Sequence, residues 1–356
     1  MGSNLLKLIL EEDCAVYLLI RGANQDFCKS KINNILKRIF DSDALAERYA
    51  KRINLICGVI EKSTFGIHSG MYDILLSSID EIFHCAAIIG FNISLDQGRQ
   101  TNVQGTHNIL QFAQRCKKIK KLNYISTTFV AGTKEGLFSE KDFSVGQAFN
   151  NYYEQTKFEA EQLVRNNVND RYDTLIFRPS IVVGNYLTGE TSNFEMFYKS
   201  LRLFSKEIFT AVPADPQTLH NLVPVDVAAK AIFVLSTKER GNGVYHITSP
   251  NNTECGYFMD VAANYFKYIN PLFIPLEKFD MAILTSVQKR MISELIPYFN
   301  YRTIFNSEIT QKIMEKHGYS CPKVDQNFYE RLFEYCQRVR FIRGKINDKT
   351  QERIVR

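Results

Sequence analysis

The chain has 356 residues, 45% of them hydrophobic and 23% charged, a composition that excludes disorder and fibrous repeats and leaves room for two globular lobes. Forty-four Lys and Arg against 38 Asp and Glu give +6 with the signs interspersed. No basic stripe of the kind a nucleic-acid binder carries is formed, and the run Arg115 to Lys121 reads as a solvated helix end.

Ser3 to Glu12 has apolar residues at helical spacing and predicts a helix. Cys14 to Ile20 (CAVYLLI) reads as a buried strand, 26–52 as a helix, Ile53 to Cys57 as a strand, and Asp80 to Ala87 as containing another. Asn102 to Gln114 follows as a helix, Leu122 to Ser126 as a strand, Asn151 to Val168 as a helix and Thr174 to Phe177 as a strand. This alternation is that of βαβ units feeding a parallel sheet. After Gly184 the chain is irregular to Leu222; a helix from Val227 to Ser236 and a strand from Val244 to Ile247 then return to the earlier pattern. Pro250 to Ile342 is mostly helical and rich in aromatics. The expected fold is α/β: a Rossmann-type doubly wound parallel sheet from 1–184 plus 223–249, with a smaller, mostly helical C-terminal substrate lobe from 185–222 plus 250–345 and a basic tail at 346–356.

The eight cysteines form no CxxC pair and have no metal-like spacing to the six histidines, which predicts reduced core thiols and no metal site. With no signal peptide and no run of ~18 apolar residues, a cytoplasmic chain without a membrane span is expected.

Tyr153 and Lys157 stand at YxxxK spacing, one turn apart on one helix face. An ammonium held there stabilises a phenolate and can donate to a cofactor ribose hydroxyl, which makes the tyrosine a usable acid or base. The same spacing also fits a surface Tyr beside a Lys. Upstream, Asn123 to Thr128 (NYISTT) is a strand ending in hydroxyls at the carboxyl edge, where α/β enzymes assemble sites. A hydroxyl there can share the charge that develops on a substrate carbonyl. Downstream lie Phe177 to Gly184 (FRPSIVVG) and Val223 to Ala228 (VPVDVA), with Asp226 at a helix start.

In that order, ST…YxxxK…RPSxVxG…VPVDxVA resembles the extended short-chain dehydrogenase/reductase superfamily over roughly residues 1 to 250. Asn102 to Thr106 (NVQGT) matches its NVxGT helix and His84 to Ala87 (HCAA) its HxAA strand end. The resemblance implies Tyr153 as general acid, Lys157 as its electrostatic helper, Asn102 as a positioning residue and Thr127 as hydroxyl partner, with Ser126 and Thr128 as alternatives. Three further segments resemble the thioester reductases and fatty-acyl-CoA reductases: Tyr124 to Thr127 with Val130 and Gly132, Val16 to Gly22, and the stretch that runs from Ile296 to Ile342. The implied activity is reduction of an acyl thioester, on CoA or an acyl-carrier protein, to an aldehyde or alcohol. Hydride would arrive from a nicotinamide near Pro179 to Ile181. Arg21, at the end of the second family strand, is placed for the 2′-phosphate of NADP, so NADP(H) is expected ahead of NAD(H). Gly2, Val59, Ala86 and Ala87 complete the implied cofactor contacts. A sugar-nucleotide or sterol dehydrogenase/epimerase, and a non-catalytic nucleotide-sensing or scaffold relative, are the alternatives.

The sequence departs from the family pattern twice. The opening strand and its TGxTGFxG turn are absent, Met1 to Leu6 resembling only their tail with Gly2 as the last glycine; those glycines let the backbone approach the pyrophosphate. Gly58-Val59 replaces a Gly-Asp pair whose carboxylate contacts the adenine. The intact Thr127, Tyr153 and Lys157 favour an N-terminally shortened sequence over a decayed relative.

Overall fold

A computed structural model describes residues 1–40, 42–90 and 93–342; the tail at 346–356 lies outside them. Helix α1 (Gly2–Glu11) leads into strand β1 (Val16–Ile20), helices α2 (Gln25–Phe40) and α3 (Asp43–Ala50), and β2 (Ile53–Cys57). The one helix predicted over 26–52 is therefore two. Ser42 is extended and accepts from the Leu45 amide, so it starts α3 afresh. Helix α4 (Ser69–Ser78), not anticipated, precedes β3 (Glu81–His84). The next helix begins earlier than Asn102: α5 (Leu95–Gly98) runs through a π-helical turn, Arg99–Gln104, into α6 (Gly105–Arg115). Then come β4 (Lys121–Ile125), β5 (Gly136–Phe138), α7 (Tyr152–Asn166), β6 (Asp173–Pro179) and β7 (Ile181–Val183). They are followed by α8 (Phe197–Phe204), β8 (Ala211–Pro213), β9 (Leu219–His220), β10 (Leu222–Pro224), α9 (Val225–Lys238) and β11 (Gly243–Ile247). The last stretch holds β12 (Thr253–Glu254), α10 (Cys255–Phe266), β13 (Leu272–Ile274), α11 (Ser286–Ile292), α12 (Ile296–Phe299), β14 (Thr303–Phe305), α13 (Glu308–Lys316) and α14 (Gln326–Arg338).

Strands β3, β4, β6 and β11 form a parallel sheet in the order β11-β6-β4-β3. Both faces are covered. On one, Leu75, Leu110, Phe112, Ala160 and Val164 of α4, α6 and α7 pack with Leu122, Tyr124 and Ile176. On the other, Leu5 of α1 and Val227, Ile232 and Leu235 of α9 pack with Leu175, Phe177 and Tyr245. Successive residues of a strand point to opposite faces, so a sheet buried on both sides needs continuous apolar runs.

β1 and β2 form a separate parallel pair. The break in the ladder falls between β1 and β3. Leu6, Leu10, Val16, Ile20, Ile32 and Leu36 form a core of their own around β1, while Ile56 of β2 joins the core under α4 and α6.

The largest core gathers Phe197, Leu201, Phe204, Phe258, Phe299, Phe328 and Phe333 from the C-terminal lobe. Two segments beyond 250 pack against elements that come earlier in the chain: β14 pairs with β5, and Met314 of α13 packs with α9. Among the described residues no helix is long and apolar enough to cross a membrane.

Candidate active site

Beyond β4 the chain passes through three hydroxyl residues, each buried and each used differently. Ser126 donates through Oγ to Glu161 (2.6 Å), and its amide bonds Phe177 O (2.7 Å). Thr127 donates to Pro179 O (3.3 Å) and accepts from the Phe129 amide (3.3 Å), and its hydroxyl draws the Tyr153 phenol down. Thr128 Oγ1 is buried with no hydrogen-bond partner. Of the three candidates left by the sequence, Thr127 is the one whose hydroxyl acts on the tyrosine's phenol.

Tyr153 and Lys157 sit in the first half of α7, whose start is fixed by Asn151 accepting from the Glu154 amide (3.0 Å). Burial pushes the Tyr153 phenol up to about 12, with the Thr127 hydroxyl acting against it. Burial brings Lys157 down to about 8, opposed by Glu161 and Cys85. Lys157 Nζ donates to Tyr124 OH (2.9 Å) and Ile125 O (2.8 Å). The lowered phenol pKa expected from the YxxxK spacing is thus corrected: withdrawal from water, which disfavours the charged form of each group, dominates both.

Asn102 lies in the π-helical turn and is almost fully buried. Its Oδ1 accepts from the Ile88 amide (2.9 Å), and its Nδ2 donates to Ile88 O (3.3 Å) and Thr156 Oγ1 (3.0 Å). The side chain therefore ties the loop after β3, with Ala86 and Ala87, to the helix that carries Tyr153 and Lys157. A π-turn offsets the side chains by one position relative to a regular helix and recurs at functional sites.

The remaining residues predicted at the cofactor lie around the carboxyl ends of β1, β2, β3 and β6. Gly2 opens α1, where an added Cβ would stand 3.7 Å from Cys85 Cβ. Val59 follows β2, Pro179 ends β6 and Ile181 starts β7. Arg21 is exposed and ion-paired with Glu61, whose Oε1 also accepts from Thr101 Oγ1 (2.8 Å). Glu61 Oε2 is buried without a partner. Glu61 was missed because it falls in the irregular segment after β2, where no spacing marks it.

Two buried networks were also missed. Glu154, next to Tyr153, accepts from Tyr298 OH of α12 (2.6 Å) and from the Asn150 amide (2.9 Å), and burial raises its carboxyl to about 7. Phe129 meets the Tyr298 ring edge-on at 5.6 Å, so one residue of the C-terminal lobe touches both the Thr127 turn and the Tyr153 helix. Arg178, fully buried, pairs with Glu161 (2.7 Å) and bonds Asp142 O (2.9 Å) and His246 Nε2 (3.2 Å). The RPS motif contained Arg178, but nothing in its spacing pointed to Glu161.

The donor set fits a nicotinamide dinucleotide. Lys157 carries three protons and uses two of them on Tyr124 and Ile125, so one is left for a ribose hydroxyl. At the other end Arg21 offers a cation for a phosphate and Glu61 a spare buried oxygen for a hydroxyl.

The parallel sheet covered by helices on both faces is of the Rossmann type, and Thr127, Tyr153 and Lys157 lie at its carboxyl edge. The chain belongs to the male sterility protein family, which matches residues 1–232. It is 23% identical to part of the linear gramicidin synthase of Brevibacillus parabrevis over 98% of its length, and 25% identical to the probable fatty acyl-CoA reductase 4 of Arabidopsis thaliana over 72%. It spans only 7% of the synthase polypeptide and 66% of the plant protein. The terminal R domain of the myxalamid PKS-NRPS pathway superimposes with a TM-score of 0.79 at 24% identity, covering 96% of this chain and 89% of that domain. The UDP-glucuronic acid 4-epimerase of Bacillus cereus shares the fold at a TM-score of 0.66 and 17% identity, over 95% of this chain and 94% of the epimerase.

Proposed function

We propose that the chain reduces an acyl thioester, carried on CoA or an acyl-carrier protein, to an aldehyde with NADPH. The observation that carries this reading is the placing of Thr127 just beyond β4 with Tyr153 and Lys157 one turn apart on α7, Lys157 reaching back to Ile125 O at the end of β4 (2.8 Å). Support comes from a family whose relatives include a fatty acyl-CoA reductase by name.

When bound, the nicotinamide supplies a hydride. Tyr153, protonated at neutral pH, donates to the carbonyl oxygen as that oxygen gains charge, and the Thr127 hydroxyl shares the same oxygen. Lys157, charged below about 8, stabilises the phenolate left on Tyr153 and holds the ribose. Asn102 keeps the loop with Ala86 and Ala87 against α7. Collapse of the resulting thiohemiacetal expels the thiol and frees the aldehyde; a second round would give the alcohol. Arg21 is the residue for the 2′-phosphate that distinguishes NADPH from NADH.

The test is NADPH consumption by the purified chain, with acyl-CoA and with an S-acylated carrier protein, and with the aldehyde trapped by a hydrazine. Thioester-dependent consumption that is lost in Tyr153→Phe is expected. NAD reduction by a nucleotide sugar, with no thioester-dependent loss of NADPH, would overturn the reading.

A further inference from the structure

Cys28 lies in the first turn of α2 and is fully buried; Cys57 is the last residue of β2 and is half-buried. Their Sγ atoms are 2.8 Å apart. A disulfide bond is ~2.05 Å long, so the two sulfurs need to approach by only about 0.8 Å to be joined. The surroundings keep the pair together. Cys28 Sγ faces Ile20 O at 3.5 Å, and Cys57 Sγ faces Gly22 O at 3.6 Å. Gly22 matters here for want of a side chain: a Cβ at that position would stand 2.5 Å from Cys28 Sγ.

We propose that Cys28 and Cys57 form an oxidation site, a thiol pair that a peroxide converts reversibly into a disulfide at the open end of the β1–β2 unit. Exposure divides the work between them. Cys57 reaches solvent and meets the oxidant first; its sulfur attacks the peroxide O–O bond, becoming a sulfenic acid as the first water leaves. The Cys28 sulfur then attacks the sulfenic sulfur, the S–S bond forms, and the departing hydroxyl takes the Cys28 proton as the second water. Two thiols and one peroxide thus give one disulfide and two waters. Burial holds the Cys28 thiol up at about 11, which makes it a poor first nucleophile and suits it to the resolving step.

The position gives the bond its reach. It would fasten the first turn of α2 to the exit of β2, beside Arg21-Gly22 on one side and Gly58-Val59 on the other. On the cofactor reading above, these turns flank the adenosine end, although formation of the bond does not depend on that reading.

The test needs no variant to begin with. The purified full chain is treated with hydrogen peroxide, free thiols are blocked with N-ethylmaleimide, and the digest is mapped without reductant. A peptide joining Cys28 to Cys57, two hydrogens lighter than the separate thiols and lost on dithiothreitol treatment, is expected. The free-thiol count would fall from eight by two. In Cys57→Ser that loss of two should disappear and Cys28 should stay a thiol. The proposal is overturned if Cys57 goes on to sulfinic acid, or is blocked by the maleimide, while Cys28 remains unlinked. Because the readout is the bond itself, inactivity toward thioesters would leave this result standing.

Discussion

Burial moves the two residues of the YxxxK pair in opposite directions, Tyr153 up to about 12 and Lys157 down to about 8. At neutral pH the phenol is protonated and the ammonium charged, the states that proton donation and phenolate stabilisation need. The value of kcat/KM reports groups of the free enzyme, so it should fall as pH rises through about 8, where Lys157 loses its charge. A thioester-dependent profile that stays flat well above that pH would remove Lys157 from this role. Tyr153→Phe should cost about 10²–10⁴-fold in kcat with the circular dichroism spectrum unchanged. The Arg21–Glu61 pair sets a further expectation. The Glu61 carboxylate occupies the guanidinium and repels a 2′-phosphate, so Glu61→Gln should raise the ratio of kcat/KM for NADPH over NADH about tenfold, or ~1.4 kcal/mol. An unchanged ratio would show that Glu61 does not face the cofactor. At this scale the sequence displays residues whose chemistry is tied to a spacing, as Tyr153 and Lys157 are. It hides a residue such as Glu61, whose importance comes from partners 40 positions away at Arg21 and Thr101.

Helix α7 holds the site together because each of its inner positions has a different partner. Tyr153 meets Thr127, Thr156 meets Asn102, Lys157 meets Tyr124, and Glu161 meets both Ser126 and Arg178. Glu154 binds the C-terminal lobe through Tyr298, and its raised carboxyl makes that clasp pH-dependent. The folded group keeps its proton up to about 7, whereas in the unfolded chain it ionises near 4.5. The stability it contributes is therefore complete below about 4.5 and is lost as pH rises through about 7. Glu154→Gln should flatten that part of the dependence, measured as Tm across the same pH window against the unmodified chain; parallel curves would assign the slope to other groups. Tyr298→Phe removes the Tyr298 hydrogen bond from the buried Glu154 carboxyl and should cost about 1–3 kcal/mol in chemical denaturation. The strands and the long helices were legible because burial on both faces imposes continuous apolar runs. The break at Ser42 was not, since a cap acts through one side-chain hydrogen bond and leaves the apolar period unchanged. Helix α4 was hidden because SGMYDILLSS is short and apolar on most sides, so its period is weak.

At the scale of the whole molecule, the apolar alternation predicts one doubly wound sheet, and the four-stranded sheet and the separate β1–β2 pair differ in how they are held. Strands β4 and β6 have a neighbour on each side, while β1 is paired only with β2. Backbone amides of β1 are thus protected by one ladder and by the local core of Leu6, Leu10, Val16 and Ile32, whereas those of β4 and β6 lie between the cores of α4, α6 and α7 and of α1 and α9. Opening the β1–β2 unit breaks no ladder to the four-stranded sheet; it costs the local core and the contacts of Tyr17, Leu19 and Ile56 with the neighbouring one. Proteins open in such units at free energies below that of global unfolding. Native-state hydrogen exchange in low denaturant should therefore show β1, β2 and α2 exchanging together in a sub-global step, with the amides of Leu122, Tyr124 and Ile176 exchanging only on global unfolding. If β1 and β4 instead share one exchange free energy and one denaturant dependence, the two sheets act as a single cooperative unit, coupled through Ile56 and the helices that cover both.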